Sequence, residues 1–313
     1  NESSMKQQIL TQLREAKGVL SGEVLSSRLG MSRVSIWKHI QALKNAGYVI
    51  DATAKGYQLT QSPDVPFAWE FGEREKAIHY YDRLSSTMPV AREKARQGAP
   101  AMTVVVAGVQ TGGRGRLKRV WRSDPGGLYF TLILRPLVTP QASGRIVLYA
   151  ATRLAQTLKS LFGVNAGVKW PNDILVNGKK IAGLLAEMEA EFDRVTYLNI
   201  GIGINVNNDP VSHEPGSTSI RQLLGRSALK KELLAAYLDS FEVNLEEATS
   251  PLVIKDWKRW TITLGRRVKV VTPRSITEGM AEDMDEYGGL IIRADDGSIK
   301  TVVYGDCFHS DNT

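Results

Sequence analysis

The chain has 313 residues, 42% of them hydrophobic, with 40 lysines and arginines against 33 acids. That length suffices for two or three domains, and the mean hydropathy of −0.19 fits a globular protein in water rather than a fibrous or disordered one. Short apolar runs broken by charges exclude a membrane span of about 20 residues, and a lone Cys307 with four scattered histidines excludes an internal disulfide and a Cys/His zinc site. No cationic apolar leader opens the chain, so a cytoplasmic protein is expected. The net charge of +7 points to phosphate-bearing partners. Asn1 to Ser4, ahead of Met5, are expected to be an extraneous remnant.

Lys6 to Ala16 reads as a first helix, with Ile9, Leu10 and Leu13 on one side. Ser21 can cap a second that ends at Gly30, and Ser32 a third in which Ile36, Ile40 and Leu43 recur at helical spacing. Two short helices around a glycine turn are the helix-turn-helix arrangement, with Arg33, Ser35, Trp37 and Lys38 left on the exposed part of the second. Tyr48–Ile50 and Gly56–Leu59 read as a hairpin wing with Lys55 near its tip. Residues 1–62 carry eight Lys/Arg against four acids, the charge a DNA-binding unit needs. The alternative is a three-helix interaction module. Gln61–Pro66 reads as a linker.

A second domain is expected over residues 63–262. Its strand from Ala77 to Leu84 leads to Ser85-Ser86-Thr87, hydroxyls that either cap the helix beginning near Pro89 or hold a polar ligand group at that helix end. Between the apolar strands Thr103–Ala107 and Leu128–Leu134 lies Gln110-Thr-Gly-Gly-Arg-Gly-Arg116, followed by Lys118, Arg119, Trp121 and Arg122. A long basic, glycine-rich loop of this kind is either an anion clamp over a nucleotide or acyl phosphate, or a flexible nucleic-acid-coating segment. It is not a P-loop or a dinucleotide fingerprint, because no Gly-Lys-Ser/Thr and no helix follow.

A helix from about 142 to 162 is expected to turn Val147, Ala151, Leu154, Leu158 and Leu161 inward. Next comes Lys169-Trp-Pro-Asn-Asp173, where Pro171 suggests a kink that re-aims the Asp173 carboxylate, a candidate magnesium ligand. Asn177-Gly178 signals a type I′ hairpin, and strict alternation beyond it puts Lys180 on one face with Ala182 and Leu184. Such a lysine is either an edge gatekeeper or a cation pointed at an anion. Gly201 and Gly203 share a face that Asn205 continues, which means room for a ligand or backbone, or else a bulge. Helices at about 229–248 and 253–260 close the domain. Residues 263–313 read as a small β-barrel with no visible chemistry and a structural Cys307.

In order and spacing, Ser86-Thr87, Gln110–Arg116, Lys169–Asp173 with Lys180, and Gly201-Ile-Gly-Ile-Asn205 resemble the bifunctional biotin–protein ligase and biotin operon repressor family. The resemblance covers nearly the whole chain. It implies an α+β protein: a winged helix-turn-helix, a central α/β ligase domain with a mixed sheet like that of class II synthetases, and a small SH3-like barrel. It implies ATP with magnesium and biotin as substrates, biotinyl-AMP as intermediate, and a lysine of a biotin carboxyl carrier protein as acceptor. It also implies operator DNA as a partner, a homodimer when adenylate is bound, and no membrane. Carried over by position, Ser86, Thr87, Met88, Gln110, Arg114, Gly115, Arg116 and Lys180 would bind biotin. Arg116, Trp121, Asn172, Asp173 and Asn205 would bind the adenylate, with Lys180 and Arg116 catalytic and Asp173 the magnesium ligand. Met88 departs from the family, whose best-studied bifunctional members have asparagine there. Two other functions fit the same residues: a non-enzymatic ligand-sensing repressor and a ligase for a related acid such as lipoate. Residues 112–122 are expected to be disordered until ligand binds.

Overall fold

The computed structural model describes residues 2–310 except Asn244, and the chain divides into two compact units, Asn1–Tyr80 and Tyr81–Thr313. The first unit contains helices α1 (Glu2–Glu15), α2 (Gly22–Leu29) and α3 (Arg33–Asn45) and a hairpin of β1 (Val49–Thr53) with β2 (Gly56–Gln61). Ser21 and Ser32 accept from the backbone amides of Val24 and Ser35, so both expected caps are formed. Gly30, at φ 63°, ends α2 in the left-handed conformation that favours glycine. The apolar stripes of the three helices meet in one core of Ile9, Leu10, Leu13, Leu25, Ile36, Ile40 and Leu43. The first helix begins at Glu2 rather than Lys6, so residues 2–4 belong to the fold, while Asn1 lies outside the described residues. Residues past the hairpin return to this core: Phe67 stacks on Trp69 with centroids 4.5 Å apart, and both pack against it. Glu70 holds the strap in place, accepting from Arg14 at 2.9 Å and from the Tyr48 hydroxyl.

The larger unit is built on a seven-stranded sheet. In chain order its elements are β3 (Ile78–Leu84), α4 (Thr87–Arg96), β4 (Thr103–Gln110), β5 (Leu128–Leu134), α5 (Ser143–Phe162), β6 (Ala166–Lys169), β7 (Asp173–Val176), β8 (Lys179–Glu191) and β9 (Arg194–Ile204). Across the sheet the order is β3-β4-β5-β9-β8-β7-β6. The pairs from β4–β5 through β7–β6 are antiparallel, and isolated parallel bridges at Val168–Thr261 and Lys180–Ser217 make the pairing mixed. Asn177 and Gly178 both take positive φ, 50° and 76°, and turn β7 into β8 as their pairing predicts.

Helix α4 covers one face of the sheet, where Ala91 and Ala95 meet Val105, Ile133 and Tyr197. Helix α5 packs with α7 (Lys230–Val243) and α8 (Leu252–Trp260); α6 (Ile220–Leu224) is a short turn with a capping box at Ser219. The buried face of α5 runs through Ile146, Tyr149, Leu154 and Leu158, but Leu161, expected to face inward, is 40% exposed in the last turn before Gly163. The chain closes with a five-stranded antiparallel sheet of β10 (Arg267–Val271), β11 (Ile276–Met284), β12 (Leu290–Arg293), β13 (Ile299–Val302) and β14 (Asp306–His309), in the order β13-β12-β11-β10-β14.

Candidate functional site

A cleft opens over the glycine-bearing face of β8 and β9. The alternation of β9 puts Gly201 and Gly203 on this face, and the side chains they admit explain them. A Cβ at Gly201 would stand 2.8 Å from Met88 Sδ, and one at Gly203 2.3 Å from Trp121 Nε1. The glycines therefore make room for a helix-end methionine and a loop indole, and there is no bulge in β9 at either.

At one end of the cleft the first turn of α4 presents Ser86, Thr87 and Met88. Ser86 is the N-cap, its hydroxyl accepting from the Met88 amide at 3.3 Å. The Thr87 amide donates to Gln110 Oε1 at 2.8 Å, the Thr87 hydroxyl lies 2.7 Å from that of Thr131, and Gln110 donates onward to Ser123 at 2.8 Å. The hydroxyls thus cap the helix and line the cleft at once. The network is buried, so its members hold fixed orientations and stand ready for a polar ligand group.

The basic loop is folded across the mouth. Strand β4 carries through Gln110, later than its apolar run suggests; the Gly112 amide then donates to Ser85 O at 2.7 Å and that of Trp121 to Gly113 O at 2.9 Å. Gly113 must lack a side chain, because a Cβ would lie 2.4 Å from Trp121 O. Arg116 turns inward and donates to Asn172 Oδ1 at 3.3 Å. Burial lowers its pKa, Asp306 and Asp173 oppose that, and a guanidinium so placed keeps its charge. Arg119 pairs with Asp306 at 2.5 Å, while Arg114 and Gly115 line the rim.

Lys180 stands at the other end. The register slips between Ile174 and Leu175, so Leu175 opposes Lys180 while Ile174 opposes Ala182, and Ile181 is the extra residue of a bulge. Lys180 therefore shares a face with Gly183, not with Ala182 and Leu184 as unbroken alternation would have it; a Cβ at Gly183 would touch Lys180 Cε at 3.4 Å. Its ammonium is 3.0 Å from Asp173 Oδ1 and 5.2 Å from the centroid of Trp121. Its backbone is clamped by bonds to Gly216 O and from the Thr218 amide, both 2.9 Å. Asn172 is buried, its amide donating to Leu184 O.

Asn205 does not line this cleft. Strand β9 ends at Ile204, and the Asn205 carbonyl oxygen of the side chain accepts from Asn208 at 3.0 Å, away from the cleft lining. Among the lining or supporting residues that escaped the sequence are Thr131, Glu214 and Asp306. Thr131 had a signal, a lone polar residue inside an apolar strand; Glu214 and Asp306 had none, because folding alone brings them near. Asp306 also shows that the C-terminal sheet, where no chemistry was visible, contributes to the cleft. Among the described residues no group of three or more His, Cys, Asp or Glu comes together to hold a metal, and Asp173 is engaged by Lys180.

On the first unit, Arg33, Trp37, Lys38 and Lys55 are exposed, Arg33 paired with Glu23 at 3.0 Å; Ser35 is half-buried. Val34, absent from the expected DNA-facing set, is 64% exposed on the same helix. No described helix is long and apolar enough to cross a membrane.

A lidded, cation-bearing cleft on a mixed sheet, in a chain that also carries a helix-turn-helix unit, defines a ligase-type domain joined to a DNA-binding one. Residues 80–207 match the biotin/lipoate A/B protein ligase family, residues 6–58 an HTH domain, and residues 263–310 the biotin protein ligase C-terminal domain. The bifunctional ligase/repressor BirA of Bacillus subtilis is 35% identical over 92% of this chain and 93% of its own length, and that of Escherichia coli is 28% identical over 91% of each. The biotin protein ligase of Aquifex aeolicus, solved with biotin and ATP, superposes with a TM-score of 0.63 at 26% identity, covering 74% of this chain and 98% of that one. The chain belongs to the biotin–protein ligase family, in its bifunctional ligase/repressor branch.

Proposed function

We propose that this chain joins biotin to a carrier protein in two steps and uses the intermediate to control DNA binding. A biotin carboxylate oxygen attacks the α-phosphorus of ATP, forming biotinyl-5′-AMP and releasing pyrophosphate. The amine of a lysine on a biotin carboxyl carrier protein then attacks the acyl carbon, loses a proton and expels AMP. The observation that carries this is the opposition across one cleft of the Ser86–Thr87–Gln110 network and the Lys180–Arg116 pair of cations. The first end suits a neutral polar head such as biotin's ring urea, with Met88, Arg114 and Gly115 completing its walls. The second suits a carboxylate and an α-phosphate brought together, where two cations offset charge as it builds. Trp121, Asn172 and Asp173 flank that meeting point, and the loop excludes water from a hydrolysable acyl adenylate.

Magnesium enters with the phosphates of ATP as part of the substrate, and Asp173, beside Lys180 in the cleft, is the carboxylate suited to it. The exposed face of α3 and Lys55 of the wing suit operator DNA, and a dimer would present two such units to a palindrome. The protein works in the cytoplasm, and its functional divisions fall at residues 62 and 262.

Incubation of the full chain with ATP, magnesium, biotin and a carrier domain tests the reading; absence of biotinyl-AMP and of labelled carrier would sink it. Adding lipoate as competitor checks the acid, since the matched family includes lipoate ligases. The repressor half fails by itself if operator affinity and the protein's mass in solution are unmoved by adenylate across a range of salt.

A further inference from the structure

Glu214 lines the cleft but has no part in the function above. It is an exposed residue of the loop between β9 and α6, and local contacts fix where that loop lies. Ser217 forms a parallel bridge with Lys180, and the Ser217 amide donates back to the Glu214 carbonyl at 2.9 Å. The Glu214 amide in turn donates to Pro210 O at 2.9 Å. The residue is thus held on a tight turn beside Lys180, at the mouth of the cleft rather than on its floor. The other carboxylates around this space are engaged. Asp173 pairs with Lys180 at 3.0 Å and Asp306 with Arg119 at 2.5 Å. Asp124, at the end of the lid loop, lies 3.6 Å from His213, the residue before Glu214. Among the described residues the Glu214 side chain has no hydrogen-bond or ion-pair partner.

A free carboxylate has the wrong sign for the first half-reaction, whose substrates, a carboxylate and a polyphosphate, are both anions. It has the right sign for the second, whose nucleophile arrives as a lysine ammonium. That ammonium must approach Arg116, Arg119 and Lys180, with Lys169 beyond them, all cations that repel it. A carboxylate at the mouth offsets that repulsion.

We propose that Glu214 is the carboxylate that receives the acceptor lysine and takes its proton in the transfer step. This rests on the transfer function proposed above. Glu214 draws the ammonium to the mouth, where the surrounding cations favour loss of a first proton to water. The lone pair so freed forms the C–N bond to the acyl carbon. As that bond forms the nitrogen turns acidic, and its surplus proton passes to the Glu214 carboxylate. The bond from the acyl carbon to the adenylate oxygen breaks, and its electron pair leaves with AMP. Being exposed, the carboxyl group then returns the proton to solvent. The first half-reaction starts from a carboxylate with no proton to remove, and so does not use Glu214.

The test uses the full chain, its Glu214→Gln variant and its Glu214→Asp variant. Transfer is started from supplied biotinyl-AMP, so it is read whether or not the chain makes its own. At neutral pH, Glu214→Gln should transfer biotin to a carrier domain about a hundredfold more slowly, the scale of a lost general base. Adenylate formation from biotin and ATP should be unchanged, and Glu214→Asp should recover part of the transfer. The deficit should narrow as pH rises, because hydroxide replaces the missing base, and should persist when a small primary amine replaces the carrier. A parent-like transfer rate in Glu214→Gln overturns the assignment. So does a deficit that is the same at every pH, one that vanishes with the small amine, or an equal loss of adenylation. A parent that transfers supplied adenylate but makes none refutes the first step alone; a parent that does neither refutes the function and this role with it.

Discussion

Gly203→Ala is the sharpest perturbation the cleft offers. The added methyl would lie 2.3, 2.5 and 3.0 Å from three atoms of the Trp121 indole, far inside contact distance. The indole cannot retreat into the sheet, because Gly183 underlies it too, and a Cβ there would already sit 3.1 Å from its ring. Strand β9 is fully paired on both sides at this point, to Tyr129 and Gly183, so the loop must yield rather than the sheet. Overpacking of this kind costs about 1–3 kcal/mol. Since the lid carries the strain, most of that should appear as poorer retention of the adenylate, roughly 5- to 150-fold, with little change in melting temperature. Gly201→Ala is the control. Its methyl meets the flexible end of Met88, which can turn aside, so less than about a tenfold loss is expected. Adenylate dissociation followed by rapid dilution, beside thermal melts, measures both effects. A Gly203→Ala protein that retains adenylate like the parent, or a Gly201→Ala protein that is the worse of the two, would refute the packing argument.

Three further outcomes are expected. Arg116→Gly should leave the fold intact but let adenylate escape, seen as labelling of exposed lysines on a bystander protein; unchanged retention would remove Arg116 from the clamp. Lys180→Ala should cut adenylate formation by about a hundredfold or more while biotin affinity moves far less, since its charge acts where the phosphate reacts; equal losses would point to general destabilisation. Burial pushes the Cys307 thiol up to about 11, so its reactive thiolate is scarce well above neutral pH. Alkylation of the folded protein at pH 8 should be slow and become fast in denaturant; rapid labelling of the native chain would contradict that burial.

Particular residues show how far the sequence could be followed. Ser21, Ser32 and Ser86 cap helices because their hydroxyls reach amides two or three residues on, and Asn177-Gly178 turns a hairpin because both positions tolerate positive φ. Interactions of that range are written in neighbouring letters. Lys180 shows where such inference stops: one unpaired residue, Ile181, reverses which face the lysine joins, and nothing in the local pattern announces the bulge. Asn205 follows directly on β9, and its side-chain oxygen accepts from Asn208, a partner three residues on in the loop that no strand pattern announces.

By itself, then, the sequence determined the elements, their caps and turns, and the family, since ordered motifs such as Gln110–Arg116 and Lys169–Asp173 are local strings of letters. Only the tertiary structure decided what occupies the space over Gly201 and Gly203, that Asp306 of the last strand reaches the cleft, and that Asp173 neutralises Lys180. Those facts are distances between residues far apart in the chain. They depend on how the sheet registers and how the loop lies across it, and no short-range propensity encodes either.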